Sequence, residues 1–565
     1  MMNILFIMPL HGDFYDIVKV NKLKGKEDKS RKLNKINLLY PNGLLSISAY
    51  MQRHKPSVNI RILDFNISIG AFANKFERDI SPINREAFWE YCLSEIDEFI
   101  PDVIGISALF SSNFWDLNPL ADFLRNKYVE SLIACGGHLP SSCYEDIFAH
   151  GEEINAICFG EGEKPFLELI NAIEEKNQIT YLQENNSWIT KKKILSNKNF
   201  KPINNLLYDL DEIPPYDFDL IVRKPEYENY NYDHFSVLGN DNRHQFAMFT
   251  TRGCPGKCVF CASHNVHGHK IREYSILRIK QDVLYYREKW GVDHFLFSDD
   301  HFLSKKERAI EVLEFMIENK IPADVGYIAF FSVNEEIAKL LKRAGIKKIL
   351  IAVENANEKT LKDIIHKPGN LDMAKKAIKL LRDEGLIVIS NILVGLPGET
   401  KESIDKGVEN MLVLGCSWYV FFIASPLPGS ELFEICKKND YLPKNLDIYR
   451  MNFYRAMITT PDFDPQYIEK KTYEINMYVN FVKNYDLRTG NYEIALLHFE
   501  QVINFALDTH AFAYYFAAIC AKHLNLREKY INYKNKYEEM IEKYSFWKEW
   551  AEHFELDPLE DIQLI

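Results

Sequence analysis

The sequence has no apolar run long enough to cross a bilayer. Stretches such as "ILIAV" from Ile349 and "WYVFFIA" from Trp418 are strand-sized, against the roughly 20 residues a spanning helix needs. The opening "MMNILFIMPLHGDF" has an apolar core without a positive n-region or a small-residue cleavage site. It is therefore read as a first β-strand and not as a signal peptide. Positive charge is also short: 68 Lys and Arg stand against 80 Asp and Glu, a net charge of -12. The chain as a whole lacks the basic footprint of a nucleic-acid binder, so a small-molecule, lipid or peptide substrate is expected. A paired-cysteine framework is missing too. Ten cysteines are spread over 565 residues, which points to a reducing, cytoplasmic setting.

What is present is an ordinary globular composition, 47% hydrophobic and 26% charged. The chain is too long for one core, and two to four domains are expected. In residues 1–186 strand signals alternate with helical ones: "NILFIMPL", "NIRILDF" ending near Asp64, "DVIGISAL", "SLIACGG" and "AICFGEGE". Such alternation predicts parallel βαβ units and a doubly wound sheet. Ligands of such sheets bind at the carboxyl ends of the strands. Those ends carry Ser107, then Gly136 and Gly137, then Gly160, Glu161 and Gly162. Tight βα turns are the plainer reading of the glycines. From Ser187 to Asn242 the pattern decays into a linker. Six further βα units follow between 243 and 450, which fits most of a (β/α) barrel with its site at the C-terminal face. Residues 451–565 read as helical. "TGNYEIALLHFEQVINFALDTHAFAYYFAAICAKHLN" resembles a tetratricopeptide helix pair, with a helical cap on the barrel as the alternative.

Against this thin background, "TTRGCPGKCVFCASH" places Cys254, Cys258 and Cys261 within eight residues. No second cysteine pair follows at zinc-ribbon distance. Three thiolates on one loop suit three corners of a [4Fe–4S] cluster and leave its fourth iron open. A Cys3His zinc site drawing on His264, His267 or His269, and buried structural thiols, are the alternatives the spacing leaves open. By position at strand ends, Asp299, Asp300 and His301, with Tyr327 on the third barrel strand, are candidates for proton transfer or substrate hydrogen bonds. Helix capping is the plainer role for the two aspartates.

"CPGKCVFC" resembles the radical S-adenosylmethionine signature C-x3-C-x2-C, with the aromatic Phe260 before the last cysteine. "FSDDHF", "IAVENAN", "LVGLPGET" and "SPLPGSEL" resemble that family's later motifs, in order. Ala352 and Ser430 depart mildly from the usual glycine and threonine. The resemblance implies a partial (β/α)6 radical barrel. It implies that Cys254, Cys258 and Cys261 ligate a [4Fe–4S] cluster whose open iron binds S-adenosylmethionine, and that an electron donor such as flavodoxin or ferredoxin reduces it. It further implies that Glu354 contacts the ribose or amino group of S-adenosylmethionine, and that the Gly395–Gly398 turn approaches its adenine or methionine part. For Glu354 a salt bridge to a neighbouring lysine is the plainer reading.

The N-terminal half, through "GGH" and "GEGE", resembles the cobalamin-binding domains fused to such barrels. It lacks D-x-H-x-x-G after the first strand, where "HGDFYDIV" stands. Cobalamin is implied without that histidine, with Ser107, Gly136, Gly137, Gly160, Glu161 and Gly162 as contacts. Cys135, Cys143 and Cys158 do not match the spacing of the methylthiotransferase branch and are read as buried thiols. The activity implied is methyl transfer to an unactivated carbon by a radical enzyme that uses cobalamin. A cobalamin-free radical enzyme for cyclisation, coupling or rearrangement is the second reading. A zinc-stabilised, non-catalytic binding protein is the third.

Overall fold

The computed structural model describes residues 1–12, 14–15, 40–76, 84–96, 98–197, 199–222, 244–447, 449, 453–506 and 508–560. The later part of the expected linker, from 223 to 242, lies outside them, as does most of the "DFYDIV" stretch. The chain divides into two compact units. The first holds 1–326, 426–438 and 444–451; the second holds 327–425, 439–443 and 452–565. The dividing line therefore falls within the expected barrel, at Gly326.

In the first unit, strands β1 (Asn3–Met8), β2 (Asn59–Asp64), β3 (Val103–Ser107), β4 (Leu132–Gly136), β5 (Ala156–Cys158) and β6 (Trp188–Ile189) form one sheet in the order β2-β1-β3-β4-β5-β6. The first five are parallel and β6 is antiparallel to β5. Strand order reverses direction between β1 and β3, the place where open α/β sheets bind ligands. Residues 4–8 of β1 are all buried, as expected of a parallel strand covered on both faces. β6 lies at the start of the expected linker, and it is only two residues long. Its Trp188 is fully buried, so the "linker" begins as an edge of the sheet. Leu207, Leu210, Ile213, Tyr216 and Phe218 are buried as well. Tyr216 and Phe218 pack on Tyr286 and Phe246, with Phe218 stacked on Tyr286 at 5.5 Å.

The same unit carries β7 (Gln245–Met248), a short antiparallel ribbon of β8 (Thr251–Arg252) with β9 (Arg272–Glu273), and β10 (His294–Phe297) and β11 (Ala323–Val325). β7, β10 and β11 pair in parallel in the order β11-β10-β7. The second unit holds β12 (Tyr327–Ile328), β13 (Lys348–Glu354), β14 (Ile387–Val394) and β15 (Trp418–Ile423), parallel and in that order. The six strands expected between 243 and 450 are thus present. The third is broken at Gly326: the amide of Gly326 still donates to Phe297 O at 2.9 Å, whereas Tyr327 pairs with Leu350.

Helices between the strands of the second unit follow their sequence signals. Asn334, Asn370 and Thr400 cap helices Glu335–Arg343, Leu371–Asp383 and Lys401–Leu414 through their side chains. Ala374, Ala377, Ile378 and Leu381 form the buried stripe of the middle one, at the i, i+3, i+4, i+7 spacing. The C-terminal helices Tyr492–Phe505, Ala511–His523, Arg527–Lys543 and Ser545–His553 share a core with Met477 and Phe481. Ten of the thirteen residues of Ala511–His523 are buried, so this helix is the axis of the bundle. Trp418 at the start of β15 packs against this shared core and stacks on His498. These helices therefore pack on the barrel strands of their own unit, as a cap would.

Candidate functional site

The cysteine loop follows β7 and is anchored before it begins. Asp299, just after β10, is buried and accepts from the amides of Thr250 and Thr251, at 2.5 and 2.6 Å, and from the Thr250 hydroxyl. Burial pushes the Asp299 carboxyl upward in pKa, and these hydrogen bonds with the nearby Arg308 oppose the shift. Arg308 in turn donates to Thr250 O at 2.6 Å. Asp299 acts here as a strap on the backbone that leads into Cys254. Asp300 is exposed and accepts from Ser263 Oγ at 3.1 Å, on the far side of the loop. His301 is half-buried beside them.

Cys254, Cys258 and Cys261 are partly exposed, whereas the other seven cysteines are buried. A point one carbon out from Gly256 lies 3.3 Å from Cys254 Sγ and 3.9 Å from Cys258 Sγ, so both sulfurs turn toward the same face of the loop. Gly253 carries φ +92, and a side chain there would meet Lys270 O at 2.4 Å; glycine is required by the close return of the chain. Phe260 is half-buried between the last two cysteines. Beyond them, Leu432 N donates to Val259 O at 2.8 Å and Asn265 Nδ2 donates to Gly429 O at 3.0 Å. The "PLPGSEL" segment thus folds onto the cysteine loop. By contrast, burial pushes Cys143 up to about 12, and Cys135 and Cys158 well above the ordinary thiol range.

The carboxyl ends of the N-terminal strands lie against this loop within the same unit. Ser107 ends β3, Gly136 ends β4, and Gly160, Glu161 and Gly162 follow β5. Gly137 begins helix His138–His150. Burial lowers the pKa of His138, partly offset by a hydrogen bond to the backbone of Ala262, next to Cys261. Glu161 does not face open space. It takes both guanidinium nitrogens of Arg272, at 2.6 and 2.7 Å, and His267 Nδ1 at 2.8 Å. Burial alone would raise its pKa; Arg252, Arg272 and His267 overcome this and hold it far below the usual carboxylate range. Glu163 lies 2.8 Å from Arg252, which also donates to Ser46 Oγ. At the switch between β1 and β3, Leu109 and Phe110 stay 38% and 46% exposed. His11 packs edge-on against Phe110, and burial lowers its pKa to about 4.

In the second unit, Glu354 ends β13 at φ +70 and lies 3.2 Å from Lys367 Nζ. The lysine bridge named as its plainer role is therefore present. Tyr327 is near enough for the Glu354 charge to add to the upward pKa shift that burial gives its phenol. Gly395 and Gly398 both adopt positive φ; a side chain at Gly395 would meet Ile468 at 2.9 Å. Glu399, which closes the "LVGLPGET" motif, staples this turn. Its Oε2 accepts from Gly395 N and Leu396 N, both at 2.8 Å, and its Oε1 from Asn355 Nδ2 at 2.9 Å. Burial pushes Glu399 up to about 7 against those three donors. Arg252, Arg272 and Glu163 were missed in the sequence. Their only sequence signal is charge inside segments that otherwise read as buried.

Two family models match the chain: one described as the Radical SAM superfamily over residues 248–409, and one described as a B12 binding domain over residues 37–170. The chain is 27% identical over 464 residues to cytidylyl-2-hydroxyethylphosphonate methyltransferase of Streptomyces wedmorensis, covering 75% of this chain and 82% of that one. It is also 27% identical over 352 residues to an uncharacterized methyltransferase of Pyrococcus horikoshii, covering 61% and 72%. The solved structure of the cobalamin-dependent S-adenosylmethionine radical enzyme OxsB superposes with a TM-score of 0.62 at 13% identity, covering 99% of this chain and 81% of that one. At that identity the likeness concerns the fold. The match of both domains, in the order in which the cysteine loop and the N-terminal sheet occur, places this chain in the family of radical S-adenosylmethionine enzymes that carry a cobalamin-binding domain.

Proposed function

We propose that this protein is a cobalamin-dependent radical S-adenosylmethionine methyltransferase acting on an unactivated carbon. The observation that carries the reading is the meeting of two ligand-bearing ends in one compact unit. The loop after β5 reaches Arg252 ahead of Cys254, and His138 after β4 reaches Ala262 behind Cys261. Radical chemistry requires its reacting groups to be close, because a carbon radical reacts with whatever it meets first.

The residues fit the cofactors. Three partly exposed cysteines on one loop, two of them with their sulfurs beside Gly256, with the remaining cysteines buried, would hold a cluster at three corners. The exposed Leu109 and Phe110 at the switch point offer an apolar floor to a flat macrocycle, whereas the glycines after β4 and β5 pack against Ala108, Asn204 and Ile47 of the chain itself. With all three cofactors bound, the chemistry supplied is reductive cleavage of S-adenosylmethionine, hydrogen abstraction from the substrate and methyl donation from cobalamin. The chain's own part is placement. Asp299 fixes the backbone entering the cysteine loop. Glu399 fixes the Gly395–Leu396 turn by accepting both of its amides, and Glu354, paired with Lys367, would take polar groups of S-adenosylmethionine. Asp300 and His301, after β10, and Tyr327, the first residue of β12, are the groups we assign to the substrate. The substrate is a small molecule, lipid or peptide, and the reductant a low-potential flavodoxin or ferredoxin.

The test is anaerobic purification with cobalamin supplied, with iron and cobalt measured on one sample. The protein is then incubated with S-adenosylmethionine and dithionite. About four irons and one cobalt per chain, with release of 5′-deoxyadenosine, is the expected result. Iron with no cobalt removes the methyltransferase reading and leaves a cobalamin-free radical enzyme. Zinc in place of iron removes both.

A further inference from the structure

β8 and β9 set Arg252 directly opposite Arg272. Like charges facing across two strands repel, and here both side chains are almost wholly buried, 9% and 2% exposed. The pair persists because two buried carboxylates, Glu161 in the loop after β5 and Glu163 at the start of the helix that follows it, are inserted beside it. Glu161 grips Arg272 with both oxygens and lies 3.5 Å from Arg252, and Glu163 lies 2.8 Å from Arg252. His267 and Ser46 complete the hydrogen bonding. Two guanidinium charges and two carboxylate charges therefore balance, two residues from Cys254, where water does not screen them.

We infer that this balanced cluster of charges sets the reduction potential of the iron–sulfur cluster, with Arg252, Glu161 and Glu163 as positioning residues. The inference rests on the assignment of Cys254, Cys258 and Cys261 as cluster ligands. Reduction moves one electron from an external low-potential donor to the cluster; the donor is oxidised by one electron and the cluster gains one negative charge. A net positive charge beside the loop favours that gain and a net negative charge opposes it. Removing one carboxylate leaves Arg252 under-compensated. Removing the guanidinium leaves Glu163 unpaired against Glu161. The loop of the cobalamin domain thus holds the means to tune a cluster it does not ligate.

The test compares wild type with Glu161→Gln, Arg252→Gln and the double variant, each reconstituted anaerobically. Iron is measured first, and the cluster is then titrated potentiometrically by electron paramagnetic resonance. The midpoint potential is expected to rise in E161Q, to fall in R252Q, and to return close to wild type in the double variant, where charge balance is restored. Glu163→Gln, which faces the same guanidinium, is expected to move the potential in the same direction as E161Q and stands in for it should E161Q fail to fold. Shifts of one sign in all variants, or potentials unchanged at full iron content, would overturn the inference. So would loss of the cluster from every variant, because the charges would then serve only as scaffold. A wild-type chain that takes up no cluster is a different failure, that of the cysteine assignment.

Discussion

Asp299 offers the sharpest test of how the cysteine loop is held. Its Oδ1 takes two backbone amides and its Oδ2 the Thr250 hydroxyl, all in a buried setting. Asp299→Ala leaves two buried N–H groups without an acceptor, each costing about 1–3 kcal/mol. The expected loss is therefore about 2–6 kcal/mol, concentrated on the strand that leads into Cys254. Asp299→Asn keeps an oxygen for both amides and loses only the charge assistance, about 1–2 kcal/mol. Urea denaturation followed by circular dichroism gives the stabilities. Iron per chain after reconstitution reports the loop, and 5′-deoxyadenosine reports chemistry. D299A should lose stability and most of its iron, and D299N should keep most of both and still cleave S-adenosylmethionine. A D299N protein with full iron and near-wild-type stability but no 5′-deoxyadenosine would refute the reasoning, because the carboxylate itself would then take part in the reaction.

Changing Cys254, Cys258 and Cys261 together to alanine should abolish iron uptake and leave the circular dichroism spectrum unchanged, since all three are partly exposed. Retained stoichiometric iron would exclude them as ligands. Glu399 is raised to about 7 in the fold from an ordinary value of 4.5. Its contribution to stability is therefore full below pH 4.5 and is lost as pH rises through 7, about 3 kcal/mol in all. Glu399→Gln should flatten the stability profile between pH 5 and 8, and an unchanged slope would show that the group does not titrate there. Asp486 is fully buried and lies 2.6 Å from Arg382. Asp486→Ala should cost about 3–5 kcal/mol by stranding that cation, read as a fall in melting temperature of the second unit.

Much of the fold was legible because parallel strands buried on both faces leave continuous apolar runs. "ILFIM" and "ILIAV" are strands for that reason. Trp188–Ile189 is too short to show any period, so the edge strand was read as linker. The third barrel strand was read as continuous because nothing local marks the change of partner after Gly326. At the site, the cysteine triplet was legible because its spacing is local. The work of Asp299 and Glu161 was not, because their partners lie 48 and 111 residues away. A carboxylate at a strand end reads the same whether it meets a ligand or the protein's own amides. Only the fold brings Arg252 and Arg272 side by side and so explains why two glutamates are buried in "GEGE".

The return of Leu432 to Val259 has a consequence for how the protein is made. The two residues are 173 positions apart, and the connection passes through the whole of β10 to β15. Chains are synthesised from the amino terminus at about 5–20 residues per second. The three cysteines therefore emerge from the ribosome at least several seconds before the segment that closes over Val259. During that interval the thiols stand in an unfinished loop, exposed to oxidants and to adventitious metals. Delivery of iron and sulfide is most economical after that closure, to a chain whose last barrel strand has already been added.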